Sequence, residues 1–255
     1  SARSVDAVVH LAAQTGVGPS VEDPVHDLRV NALGTLNLLE ACRKNGVDRF
    51  VLASSNAVFG EQDPPMHEGL PTRPRSPYGA SKLAAEHYCR IYHELHGIGT
   101  VALRFSNVYG PGSITKASVV AKFFKRILSG EAVSIFGDGS QTRDFVYVED
   151  IVSAICAAAE SGGGGMVFTI GSGKETSVLH LVDSLRSILH DEPERDFEVE
   201  YRPIRSGDVL RNYSSVEKAG ELLGFSPQVE LSDGLQETWS WFRSRNGTRA
   251  AAANG

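Results

Sequence analysis

The apolar residues of this chain come in short, nearly unbroken runs spaced by helical stretches, and that rhythm constrains the fold more than any other feature. VDAVVHLA (5–12), RFVLAS (49–54) and TVALRF (100–105) are β-rich and almost continuously apolar. Between the first two, a helix is expected from about Pro24 to Asn45, with Leu33, Leu36, Leu38, Leu39 and Ala41 forming a broad apolar face. Between the second and third, a Pro-rich loop (61–77) leads into a helix starting near Pro77, where proline suits a first turn. Continuous apolar strands separated by helices indicate a parallel sheet covered on both faces. The fold is expected to be α/β.

After Asn107 the rhythm loosens. A helix near 118–129 is followed by the strand AVSIFG (132–137), the turn GDGS (137–140) and a strand RDFVYV (143–148). An Ala-rich helix (149–160) ends in SGGGG (161–165), a helix stop, and MVFTIG (166–171) reads as another strand. Helices near 177–190, 215–223 and 231–245 surround the charged strand DFEVEYRP (196–203), and 247–255 reads as a disordered tail. The expected division is 1–106 plus 144–172 for the first domain, and 107–143 plus 173–246 for a smaller, mixed lobe interleaved with it.

With 255 residues, 41% apolar and 22% charged, the chain has ample material for a core. A net charge of −6 without blocks of like charge gives little support to nucleic-acid or membrane-surface binding. Its apolar runs are too short to span a bilayer. Cys42, Cys89 and Cys156 fall in separate helix-like segments, an odd count without metal-ligand spacing. Reduced structural thiols, a cytoplasmic location and no metal site are expected.

Within SPYGASK (76–82), Tyr78 and Lys82 stand four apart and share a helix face. An ammonium near a phenol favours the phenolate and lowers its pKa, which moves a tyrosine toward use as a general base. The spacing alone is weak and arises by chance. Placement adds to it, because ligands of open parallel sheets bind beyond the carboxyl ends of strands. Ser54 and Ser55 end one strand and Ser106 and Asn107 end the next, so Ser55 could donate to a substrate oxygen beside Tyr78; equally, the two serines could simply terminate a strand.

HLAA (10–13), NALGTLNLLEAC (31–42), ASSNAVFG (53–60), SPYGASK, LRFSNVYGPG (103–112) and GDGSQTRDFVYVEDI (137–151) stand in order along the chain. Together they resemble the extended short-chain dehydrogenase/reductases, and within them the NAD-dependent nucleotide-sugar epimerases, the UDP-glucose 4-epimerase group in particular. The likeness runs from about residue 5 to residue 245. It implies a Rossmann-like, doubly wound parallel sheet as the NAD-binding domain, a nucleotide-sugar-binding lobe, and a homodimer, expected through the helices 24–45 and 77–96. It also implies Tyr78 as catalytic base, Lys82 as its partner and a ligand of the nicotinamide ribose, and Ser55 as the third member holding the sugar hydroxyl. Leu11, Ala12, Ala13, Asn31, Phe105 and Val108 would meet NAD. Asn107, Arg143 and Arg205 would contact the diphosphate of a UDP-sugar, Val120 and Phe136 its base, and Asp208 its ribose. Each has a plainer alternative: Phe136 as core, Arg143 in an ion pair with neighbouring Asp144, Glu149 and Asp150 as caps of the helix they begin. His10, without a second ligand at metal spacing, reads as a structural strand residue.

Sugar-nucleotide dehydratases of this family need an acid and a base just after the triad hydroxyl, where this chain has Asn56 and Ala57. Neither shuttles protons, and the related decarboxylases usually keep a Glu where Ala57 stands. Epimerisation at C4 needs only the triad and is the expected reaction. Asn212, smaller than the tyrosine found there in some epimerases, would leave room for an N-acetylhexosamine. The family's glycine-rich G-x-x-G-x-x-G loop does not occur in this sequence. The resemblance therefore implies an N-terminally truncated member with an open edge at strand 5–12, expected to bind NAD poorly and turn over little by itself. A non-catalytic nucleotide-sugar-binding remnant and a keto-sugar reductase are the other readings.

Overall fold

The structure, a computed structural model, describes residues 5–116, 118–161, 163–204 and 209–253, with side chains as far as Arg245. Strand β1 (Ala7–His10) is followed by the short helices α1 (Val17–Glu22) and α2 (Pro24–Leu28), a π-helical turn (Arg29–Leu33) and α3 (Gly34–Asn45). The helix expected over 24–45 is thus one helical path with a wide turn inside it. Asp23 starts it by accepting from the His26 N–H (2.9 Å), and Pro24 fills the first position. Strand β2 (Arg49–Ser55), helix α4 (Pro77–His96) and strand β3 (Gly99–Phe105) follow as expected.

The second half continues with β4 (Asn107–Tyr109), α5 (Val119–Leu128), β5 (Val133–Phe136), β6 (Thr142–Arg143), β7 (Phe145–Tyr147) and α6 (Val148–Glu160). Then come β8 (Met166–Ile170), β9 (Thr176–Ser177), α7 (Val178–Ile188), β10 (Val199–Arg202), α8 (Glu217–Leu223) and α9 (Leu231–Ala253). RDFVYV is not one strand but two. Asp144, fully buried between them, turns its carboxylate inward to accept from the N–H groups of Ser172 (2.7 Å) and Ser214 (3.1 Å). The tail expected to be disordered instead continues α9 as far as Ala253, in keeping with the high helix propensity of its alanines.

The main sheet has the order β1-β2-β3-β8, all parallel. Its register pairs Ser55 with Phe105 and Phe105 with Ile170, so the carboxyl ends of β2, β3 and β8 form one row. Alternation along the strands sends Phe50, Leu52 and Ala102 to the face covered by α3 and α4, where they meet Leu39, Ala85 and Cys89. Val51, Val101 and Leu103 point to the other face, under Ile151 and Ala154 of α6 and Ala219 of α8. A separate core, with Phe124, Ile135, Leu181, Leu185, Trp239 and Phe242 at its centre, lies among α5, α7, α9 and the short strands. The sheet's β8 edge is blunted by side chains: Glu68 accepts from the Thr169 N–H (2.5 Å) and Lys218 Nζ donates to the Val167 carbonyl (2.8 Å). At the opposite edge, on β1, Val9 is exposed.

Candidate active site

Three side chains meet where β2 ends and α4 begins. Ser55, the last residue of β2, accepts from the Ala57 N–H (3.2 Å) as the chain turns into the short 3-10 helix Asn56–Val58. Ser76 caps α4 by accepting from the Gly79 N–H (3.1 Å), and Pro77 takes the first helical position. That start places Tyr78 in the first turn, with its phenol close enough to Ser55 for the serine to influence its ionisation. One turn on, Lys82 is buried, with Nζ donating to the Ala53 carbonyl (2.9 Å) and lying 5.9 Å from the centroid of the Tyr78 ring.

A single glycine permits this approach. A Cβ on Gly79 would stand 2.4 Å from the Ala57 carbonyl oxygen, inside contact distance. Gly79→Ala is therefore expected to push the first turn of α4 off the Ser55 turn, at about 1–3 kcal/mol of stability. Turnover should fall at least tenfold, roughly one 1.4 kcal/mol step in the barrier. Urea unfolding read beside steady-state kinetics checks both effects.

The electrostatics differ from the expectation drawn from spacing. Burial pushes the Tyr78 phenol up, Ser55 opposes this by hydrogen bonding, and Asp27 raises it further. Burial likewise pulls Lys82 down to about 8, against the carboxylates of Asp27 and then Glu86. In the ligand-free protein the pair does not yield a ready phenolate, because loss of water outweighs the neighbouring ammonium.

Four residues around this pair had no place in the sequence reading. Glu86, on α4 below Lys82, is held by Arg104 of β3 through Nε (3.0 Å) and Nη2 (2.7 Å), and accepts from Ser54 Oγ (2.5 Å). Asp27, wholly buried, accepts from Ser81 and from Asn31. Asp27 and Asn31 stand four apart on a helical path, as do Lys82 and Glu86, a signal the sequence did contain. The Glu86–Arg104 pairing depends on how α4 crosses β3 and leaves no local trace.

The other predicted residues fall into three groups. Leu11 and Ala12 are exposed and Ala13 half-buried just beyond β1, while half-buried Phe105 ends β3. Asn107 begins β4, its N–H donating to the Asp144 carbonyl (2.9 Å), and Val108 lines a cleft of about 220 Å³ with Gly110, Pro111, Lys116 and Val148. Asn31 faces inward and is engaged with Asp27, Ser81 and the Gln14 backbone. In the second lobe, Phe136 is half-buried at the end of β5, but the Val120 side chain is 1% exposed and packed in the core. Arg143 does not pair with Asp144; its Nη1 donates to the carbonyls of Thr142 and Val209 (2.7 Å each), since Asp144 faces the interior. Asn212 is half-buried and its Oδ1 has no hydrogen-bond partner among the described residues. Arg205 and Asp208 lie outside the described residues.

The plainer alternatives resolve unevenly. His10 is buried with its ring 6.0 Å from that of Phe50, and its pKa is lowered by burial and by Lys82. Asp150 does not cap α6; it accepts from the N–H groups of Gln228 (2.9 Å) and Val229 (3.3 Å), tying down the chain before α9. Asn56 Nδ2 donates to Ser106 Oγ (3.0 Å) and Ser214 Oγ (2.8 Å), which ties the end of β2 to the chain before α8. Among the described residues, no group of three or more His, Cys, Asp or Glu side chains could hold a metal ion, and no helix is long and apolar enough to cross a membrane.

A hydroxyl, a phenol and a buried ammonium at the carboxyl end of a parallel sheet form a candidate site where ligands of a Rossmann-like fold bind. Residues 1–171 match the NAD dependent epimerase/dehydratase family, and the chain belongs to it. It is 40% identical over 247 residues to the UDP-glucose 4-epimerase of Mycolicibacterium smegmatis, covering 94% of this chain and 77% of that one. Among solved structures, it is similar to the UDP-glucose 4-epimerase of Thermotoga maritima with UDP-glucose, with a TM-score of 0.89 and 40% identity over 94% of this chain and 78% of that one. It is also similar to the UDP-N-acetylglucosamine 4-epimerase of Methanobrevibacter ruminantium in complex with UDP-N-acetylmuramic acid, with a TM-score of 0.88 and 34% identity over 94% and 77%.

Proposed function

We propose that this protein is an NAD-dependent epimerase that inverts C4 of a UDP-hexose, UDP-glucose and UDP-galactose in the first instance. The observation that carries this is the placing of Tyr78, in the first turn of α4, beside Ser55 at the end of β2 with Lys82 buried one turn on, Ser55 being followed directly by Asn56 and Ala57. A hydroxyl and a phenol suffice to hold and deprotonate one sugar hydroxyl. Dehydration would need a further acid and base, and Asn56 offers an amide already committed to Ser106 and Ser214.

The residues present fit a dinucleotide. Lys82 is a buried ammonium beside the phenol that spends one donor on Ala53 and has others to give to a ribose hydroxyl. Leu11, Ala12 and Ala13 would provide a low apolar ledge for the cofactor, with Phe105 and Val108 across from it. NAD, when bound, supplies a reversible acceptor for the C4 hydride and a positive charge beside the phenol. Tyr78 then takes the proton of the C4 hydroxyl at its phenol oxygen as C4 is oxidised, and returns it when C4 is reduced on the opposite face. Ser55 holds the same hydroxyl in line. Asn107, Arg143 and Arg205 are assigned to the diphosphate, whose oxygens suit the planar fork of a guanidinium, and Phe136 and Asp208 to the nucleoside; Val120, packed in the core, is left out.

The substrate range extends to UDP-N-acetylhexosamines, because half-buried Asn212, smaller than a tyrosine, would leave room for an acetamido group. A homodimer is supported by the exposed Leu38 of α3 and the exposed Tyr88, Ile91 and Leu95 of α4. The free thiols of Cys42, Cys89 and Cys156 suit the cytoplasm.

The test is incubation with UDP-galactose and NAD, with the products resolved by chromatography. UDP-glucose without net NADH is expected. A 4-keto-6-deoxy sugar, a decarboxylated product from UDP-glucuronate or stoichiometric consumption of reduced cofactor would each replace the reading with another reaction of the family.

A further inference from the structure

The first turn of α4 is held from behind by a buried polar relay that takes no part in the chemistry above. Ser81, next to Lys82, donates from Oγ to Asp27 Oδ2 (2.5 Å). Asn31 Nδ2 donates to Asp27 Oδ1 (3.0 Å) and to Ser81 Oγ (3.1 Å). Asn31 also grips the loop after β1, accepting from the Gln14 N–H (2.9 Å) and donating to the Gln14 carbonyl (3.1 Å). Asp27 and Lys82 are 0% and 4% exposed, so water neutralises neither charge.

A carboxylate and an ammonium taken out of water need compensation, and hydrogen bonds from neutral groups supply only part of it. Ser81 and Asn31 bring hydrogen bonds to Asp27 but no charge. The other carboxylate near Lys82 is Glu86, which Arg104 already engages through two nitrogens. His10 of β1 also faces the ammonium and is held toward its neutral form by burial and by Lys82 itself. Among the described residues, Tyr78, a turn earlier, is the remaining titratable neighbour. Asp27 is therefore the carboxylate whose charge is left for Lys82.

We propose that Asp27 is a positioning residue, the buried counter-charge that keeps Lys82 an ammonium and that, through Ser81, fixes the turn presenting Tyr78. Its catalytic meaning rests on the epimerase reading, whereas the charge compensation is proposed for the ligand-free chain. The directions of the neighbouring pKa values agree: Asp27 is the main influence opposing the burial of Lys82, and it also disfavours ionisation of Tyr78.

The test reads Lys82 directly. In ligand-free protein with 15N-labelled lysines, the Lys82 Nζ resonance, assigned by its loss in Lys82→Arg, is followed through a pH titration. In Asp27→Asn its midpoint is expected to fall by about one pH unit or more. In Ser81→Ala, which keeps the carboxylate, it should stay in place. An unchanged midpoint in Asp27→Asn overturns the proposal, and so does an equal fall in Ser81→Ala, whose hydroxyl carries no charge. Should Asp27→Asn fail to fold, Asp27→Asn combined with Lys82→Met should fold again, because the uncompensated cation is gone; failure to recover overturns the pairing. Turnover separates the two levels. With an active wild type, Asp27→Asn is expected to lower kcat about tenfold with KM unchanged, the signature of a transition-state effect. An inactive wild type whose Lys82 midpoint still depends on Asp27 would leave the pairing intact and remove the epimerase reading.

Discussion

Tyr78→Phe is expected to lower kcat by about 10²–10⁴-fold, the usual contribution of a positioned acid–base group. The ring fills the same space in both residues, so the fold and KM should change little, and the loss should appear in kcat and kcat/KM together. Ser55→Ala should cost less, because water can replace a hydroxyl that orients more readily than one that takes the proton. If Tyr78→Phe kept more than a tenth of wild-type turnover, the phenol would not be the base, and the site would have to be sought away from the end of β2. Steady-state kinetics with far-UV circular dichroism on both variants is sufficient.

The largest stability effect is expected from Glu86→Gln. Glu86 and Arg104 are 4% and 6% exposed, and the guanidinium also stacks 4.7 Å from the centroid of the Phe59 ring. Removing the carboxylate charge leaves a buried guanidinium unpaired, at about 3–5 kcal/mol. The outer pair Lys174–Glu230, with side chains 61% and 63% exposed, is the control; Glu230→Gln should leave the unfolding midpoint nearly unmoved. Guanidinium chloride would screen these charges, so urea is the appropriate denaturant. Equal shifts in the two variants would mean that the buried pair contributes no more than a surface one.

Much of the fold was legible because it depends on local pattern. The unbroken apolar runs at β1, β2 and β3 fixed their type, and Pro77 marked the start of α4. The place of β8 beside β3 was not legible, since chain order says nothing of which edge a late strand joins. RDFVYV looked like one strand because alternation hides a residue such as Asp144, whose carboxylate serves a distant turn rather than its own ladder. For the site, spacing identified Tyr78 and Lys82 as neighbours but gave the wrong sign for the phenol: proximity is written in the sequence, whereas desolvation depends on packing depth. Asp150 was misread for a related reason. An acidic residue in a first turn suits the helix dipole, yet this one is spent on the backbone of Gln228 and Val229. Glu86 and Arg104, eighteen positions apart on different elements, could not be paired without the fold.

The most direct measurement follows the hydrogen at C4. With UDP-glucose deuterated at C4 and NAD present, the expected product is UDP-galactose that retains deuterium at C4, with no NADH left over. Wash-out of the label into solvent, or label retained only in reduced cofactor, would contradict hydride removal and return at a single site built around Tyr78, Lys82 and Ser55.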